Sequence, residues 1–218
     1  MLNVLIAASL LGAAPFDAWD IHAPYKQDST LDYEVVMTLH NGPEQNNVDM
    51  LIHHATTKKS DSGYEGTYGW TELYVDDQPQ LDQTFGVTLK ANGVLKAVTS
   101  DYGDGMRRMF LPFMFVYPDK RVDVGDTWTY KDAAEDEMDG HKATIVFKVV
   151  DTDTIKEKKV LKIESHLTED GPDPMKSDGT FWVAEDGTVL KYKFKVTEWP
   201  VPVAQQVFQD ADVTATLQ

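Results

Sequence analysis

The side chains with most capacity for chemistry are six histidines and 36 acidic residues, in a chain of 218 residues that contains no cysteine. His53 and His54 are adjacent. In a strand they point to opposite faces, so they cannot chelate one ion together without a bulge. His40 or His166 could meet one of them across a sheet, but ordinary strand histidines give the same pattern, and no metal site is expected. Acidic runs at 132–139 and 151–153 lack the Asp-x-Asp-x-Asp-Gly spacing that folds a loop around calcium, and they read as solvated turns. With this many carboxylates, glycosidase-like pairs arise by chance and carry no signal. There is no Gly-x-Ser-x-Gly, no Ser-x-x-Lys, no Walker loop and no dinucleotide fingerprint. No catalytic residue and no cofactor is expected.

What remains is binding. Between 106 and 117 the side chains are almost uninterruptedly apolar, and Pro112 bars them from a helix interior or a central strand. Such an irregular segment must be buried or must contact a ligand. We take Met109, Phe110, Phe113, Met114, Phe115, Tyr117 and Trp128 as the candidate ligand-contacting residues, against the alternative of a core seam in which Met and Phe fill irregular gaps. Beyond them, Gly125 sits between two strand-like runs where positive φ is often needed. Asp126 or Thr127 is placed to bond nearby backbone amides, and Trp128 to seal the apolar seam.

The elements that must position this segment are strands. Tyr33, Val35, Met37 and Leu39 alternate with polar or exposed partners up to Asn41-Gly42-Pro43; Val48, Met50 and Ile52 share a face; so do Tyr64, Gly66, Tyr68 and Trp70. Leu190, Tyr192, Phe194 and Val196 alternate with Lys191, Lys193 and Lys195. That lysine stripe could bind an anion or could guard an edge strand against pairing. Short helical turns fit 104–111 and 132–138, a polar turn fits 151–154, and 203–218 reads as final strands. A strand, an Asn92-Gly93 turn and a second strand recur as Thr180-Phe181 through Asp186-Gly187 to Lys191, about 95 residues later. The expected fold is all-β, a curved antiparallel sheet of half-barrel or sandwich type. Two duplicated modules, 31–105 and 118–218, would be joined by the apolar connection 106–117 and would form one unit.

A net charge of −16 argues against nucleic acid and anionic membrane surfaces as partners. Residues 2–11 are apolar except Asn3 and Ser9 and are followed by Gly12, Ala13 and Ala14, so 1–14 reads as a signal peptide; a buried first element is the alternative. No run reaches transmembrane length. The expected location is secreted or periplasmic.

The run Pro118-Asp119-Lys120-Arg121-Val122-Asp123-Val124-Gly125-Asp126-Thr127-Trp128, followed later by Gly179-Thr180-Phe181-Trp182-Val183, resembles a group of poorly characterised secreted or envelope-associated bacterial β-proteins. More distantly, the strand-after-strand layout looks like the half-barrel carriers of the LolA and LppX type. That resemblance implies an open antiparallel sheet around an apolar cavity, without a catalytic residue. The expected function is an exported, non-enzymatic binding or carrier protein for a hydrophobic small molecule, lipid or envelope-protein segment. The alternatives are a structural or protein-interaction module with a filled core, and an unrecognised hydrolase.

Overall fold

Period-two alternation organises the chain because each strand buries every second side chain against one apolar face. The computed structural model describes residues 18–99, 107–132, 142–200 and 209–218. The expected signal peptide and parts of the connection, the 132–138 turn and the 203–218 strands lie outside these residues. Strands β1 (Ser29–Asn41), β2 (Glu44–Ser60) and β3 (Gly63–Val75) are joined by tight turns, and a short β4 (Gln78–Pro79) pairs only with β3. Then follow β5 (Gln83–Lys90) and β6 (Leu95–Thr99). The single α-helix among the described residues, α1 (Arg107–Phe110), and a 3-10 turn (Leu111–Phe113) lead into β7 (Thr127–Asp132), β8 (Ala143–Ile155), β9 (Lys158–Glu169), β10 (Lys176–Ala184), β11 (Val189–Trp199) and β12 (Gln209–Leu217).

All strands belong to one antiparallel, curved and unclosed sheet in the order β6-β5-β3-β2-β1-β12-β11-β10-β9-β8-β7. The first five main strands step outward from the middle to the β6 edge; the chain then crosses to the β7 edge and steps back until β12 pairs with β1, Tyr33 opposite Leu217. Along the sheet β6-β5-β3-β2-β1 and β11-β10-β9-β8-β7 repeat the same succession of neighbours, with β12 between them. Their tip hairpins agree closely. Gly93 N donates to Lys90 O and Gly187 N to Ala184 O, each at 2.9 Å, and the two glycines have φ of +82° and +83°.

Of the side chains expected to face inward, Val35, Leu39, Met50, Ile52, Trp70, Phe194 and Val196 are all buried in one core that lines the concave face, whereas Leu190 falls in a separate small cluster with Val160 and Ala184, because the register shifts at Trp182/Val183 and Val183 pairs with Val189. Two local expectations are corrected. Asp151 to Thr154 form no turn but continue β8, and the reversal falls on Lys156 and Glu157, both with positive φ. The lysine stripe guards no edge, since β11 lies between β10 and β12. Its lysines point to the outer face, where Lys195 Nζ pairs with Asp212 at 2.9 Å.

Candidate functional site

The crossing segment, 107–122, is a strap over the concave face. Pro112 limits helix to one turn, after which the backbone is extended but unpaired with the sheet below. Its start is pinned by two buried ion pairs: Arg108 Nε donates to both Glu169 oxygens at 2.9 and 2.8 Å, and Arg107 pairs with Asp132. These are the two buried carboxylates among the described residues, and each has an arginine partner. The strap then lays one aromatic ring after another onto the sheet. Phe110 packs on Trp70 and Phe85, Phe113 on Tyr192, Phe194 and Trp199, and Phe115 on Phe147 and Phe181. Polar ties hold the register: Trp199 Nε1 donates to Met109 O at 2.8 Å, and Tyr117 N to Asn92 O at 2.9 Å. At the far end the strap pairs with the N-terminal segment, Trp19 and Val122 exchanging backbone bonds of 2.8 and 2.9 Å.

The turn that feeds β7 has the geometry its residue types suggest. Gly125 has φ of +97°, Asp123 N donates to Asp126 Oδ2 at 2.9 Å, and Trp128 stacks on Phe147 while its Nε1 donates to Val116 O at 2.8 Å. Trp128 is half-buried rather than fully enclosed.

Between strap and sheet lies a cavity of about 60 Å³, with a smaller one of about 30 Å³ beside it. Strap residues Phe110, Phe113, Phe115 and Tyr117 form one wall of the larger cavity; Tyr33, Ile52, His54, Tyr68, Trp70 and Tyr192 form the other. Half-buried Pro24, Tyr25, Leu31 and Val189 line it at the turn end of the sheet. Several polar groups are already occupied: Tyr33 Oη donates to Val189 O at 2.9 Å, and Tyr117 Oη to Gly187 O at 2.8 Å. Others are not. Trp70 Nε1 is buried without a partner, and neither ring nitrogen of His54 has one among the described residues. His54 is held by rings alone, stacked on Tyr68 at 4.4 Å and edge-on to Tyr25 at 4.6 Å. Burial pushes its pKa down to about 4 and pushes the Tyr25, Tyr33, Tyr68 and Tyr192 hydroxyls well above their usual range, the marks of a low-dielectric site.

Of the residues singled out in sequence, Phe110, Phe113, Phe115 and Tyr117 line the larger cavity; Met114 lines the smaller one; Met109 and Trp128 line neither. His54, Tyr68 and Trp70 are lining residues that the sequence reading did not single out. The signal was present, because the inward phase of Val48, Met50 and Ile52 carries on to His54.

His53 faces outward, opposite to His54 as alternation requires. Its Nδ1 lies 2.6 Å from Asp32 Oδ1 and its Nε2 2.7 Å from Thr71 Oγ1. Carboxylate, imidazole and hydroxyl follow the order of a hydrolase relay, but all three sit on the open outer face and tie β1, β2 and β3 together, a cross-strand lock. His40 meets Asp212, not another histidine, at 3.0 Å.

No family model matches the sequence, and no curated protein matches it. Among solved structures, the chain is similar to a protein of Bacteroides fragilis described as exported and YmcC-like in fold, with 12% identity, TM-score 0.36, and coverage of 92% of this chain and 97% of that one. It is similar to the hypothetical lipoprotein YmcC of Escherichia coli, with 14% identity, TM-score 0.37, and coverage of 88% and 87%. A third is a Vibrio parahaemolyticus domain described as an outer membrane lipoprotein-sorting protein, with 12% identity, TM-score 0.27, and coverage of 89% and 88%. The functional reading rests on this chain's own geometry.

Proposed function

We propose that this is an exported, non-enzymatic binding or carrier protein that holds a hydrophobic ligand between the strap and the concave face, the ligand being a small molecule, an acyl chain or an apolar segment of an envelope partner. The observation that carries this reading is the aromatic cavity itself, an unfilled space walled by strap and sheet together in an interior that is otherwise packed. About 60 Å³ admits the end of a chain, and a whole ring needs more room than this. A ring or a longer ligand has to lift part of the strap, and Phe113, its half-buried ring, is the place where that costs least.

The competing reading is an interaction module with a filled core, favoured by the complete burial of Met109 and the near-complete burial of Phe110 and Phe115. Native mass spectrometry of protein purified from its own host separates the two. A discrete bound apolar mass, restored when stripped protein is given a labelled fatty alcohol, supports the carrier; no bound mass and no uptake overturns it.

A further inference from the structure

The cavity is not uniformly greasy. On the paired strands β2 and β3, His54 stands opposite Tyr68, and Ile52 opposite Trp70, so the imidazole and the indole are one inward step apart. Trp70 Nε1 can only donate, and it has no acceptor among the described residues. His54 carries one ring N–H and one lone pair, both without a partner among the described residues. Tyr25 and Tyr68, whose rings contact His54, bring two hydroxyls to the same wall. The enclosed indole N–H is therefore a spare donor at this wall, with the imidazole of His54 beside it. A buried donor left unmade is costly, and sites of this kind are completed by what enters them. No Lys, Arg, Asp or Glu lines the space, so nothing in it offsets the desolvation of an ionised ligand.

We propose that Trp70, His54 and the Tyr25–Tyr68 pair form a recognition site for a carbonyl oxygen on an otherwise apolar, uncharged ligand. The carbonyl accepts from the indole N–H and from the imidazole or a tyrosine hydroxyl, while the ligand body stacks between these rings and Phe110 of the strap. This specificity rests on the hydrophobic-ligand reading above and narrows it: ketones and esters fit, whereas free carboxylates and plain hydrocarbons do not.

The test uses three ring-sized probes of the same skeleton, cyclohexanone, cyclohexane and cyclohexanecarboxylate, titrated into the full-length protein stripped of bound apolar material. The Trp70 indole N–H resonance is followed by proton–nitrogen correlation. Cyclohexanone should bind about tenfold more tightly than cyclohexane, the worth of about one net hydrogen bond, and should move the Trp70 N–H signal. Cyclohexanecarboxylate should bind most weakly. Trp70→Phe and His54→Phe should each reduce the ketone-to-hydrocarbon preference, a ratio that a general loosening of the fold leaves unchanged. Equal binding of cyclohexane and cyclohexanone overturns the carbonyl assignment while leaving an apolar site. Tightest binding of the carboxylate overturns its neutrality. Absence of binding by every probe, with a long-lived water cross-relaxing with the Trp70 N–H, overturns both this assignment and the ligand-binding reading.

Discussion

The β2–β3 and β8–β9 hairpins occupy matching places in the two halves of the sheet, and they are filled in opposite ways. Counted from the turns at 61–62 and 156–157, His54 and Tyr68 stand where Val149 and Ile163 stand in the other half, each pair directly opposed across its hairpin. Val149 and Ile163 are fully buried apolar side chains. His54 and Tyr68 edge the cavity instead, with Trp70 one step further along β3. The same backbone layout thus permits a packed solution, and the first half does not adopt it. A polar pair where an aliphatic pair fits sacrifices stability, as functional sites commonly do.

Four measurements bear on this comparison, from the largest expected effect to the smallest. Gly187→Ala attacks what the halves share, the strapped tip hairpin. An added Cβ would lie 1.7 Å from His22 O at φ +83°, so chemical denaturation should show a loss of about 4 kcal/mol, combining left-handed strain with overpacking against backbone. The second sharpens the contrast. His54 has a folded pKa near 4 against 6.5 when unfolded, so the unfolded chain takes up the proton first. Its contribution is complete above about pH 6.5 and is lost as pH falls toward 4, amounting to about 3 kcal/mol. Urea midpoints between those pH values should fall in the native protein and stay flat, for this contribution, after the double change His54→Val with Tyr68→Ile, which installs the other half's pair. Persistence of the full slope in that variant would show that His54 is not its source.

Gly93→Ala is the milder counterpart of the first test, because the nearest atom to its Cβ, Phe115 O, is 2.7 Å away; about 2 kcal/mol is expected. A loss equal to that of Gly187→Ala would mean that the strap at Phe115 and the N-terminal segment at His22 yield alike. Asp126→Ala removes a single acceptor for Asp123 N at the entry to β7 and should lower stability by about 1 kcal/mol without altering ligand uptake. If ligand uptake falls while thermal stability is unchanged, the turn contributes to binding.

Much of the fold was legible because alternation is a local property. Tyr192 to Val196 declares its inward and outward faces without help from any other strand, and Asn92-Gly93 and Asp186-Gly187 declare their turns. Where the reading failed, the deciding contact was distant in sequence or the residue type was atypical. Asp151 to Thr154 looks like a turn by composition, yet the strand continues because Lys158 to Glu169 pairs alongside it, and the reversal is left to Lys156 and Glu157. The lysines of β11 looked like an edge device because nothing local announces that β12 returns to cover that edge. At the site, the strap aromatics were visible as an unbroken apolar run, whereas His54 and Trp70 were hidden as ordinary members of inward-facing strands. Only the strap's position above them leaves a void there, and that depends on where Pro112 bends the chain.

The β1–β12 pair in the middle of the sheet ties folding to the arrival of the sheet's last strand. Tyr33 to His40 belong to the first strand of this sheet in chain order, and their partners, Asp210 to Leu217, to the last. Until β12 arrives, β1 presents an open edge and the β11 face is uncovered, so the two halves cannot close on each other across this seam. A polypeptide built in this way commits late. The sheet stays unfinished until its twelfth strand has been made, and it carries a correspondingly long exposure to mispairing before that strand seats.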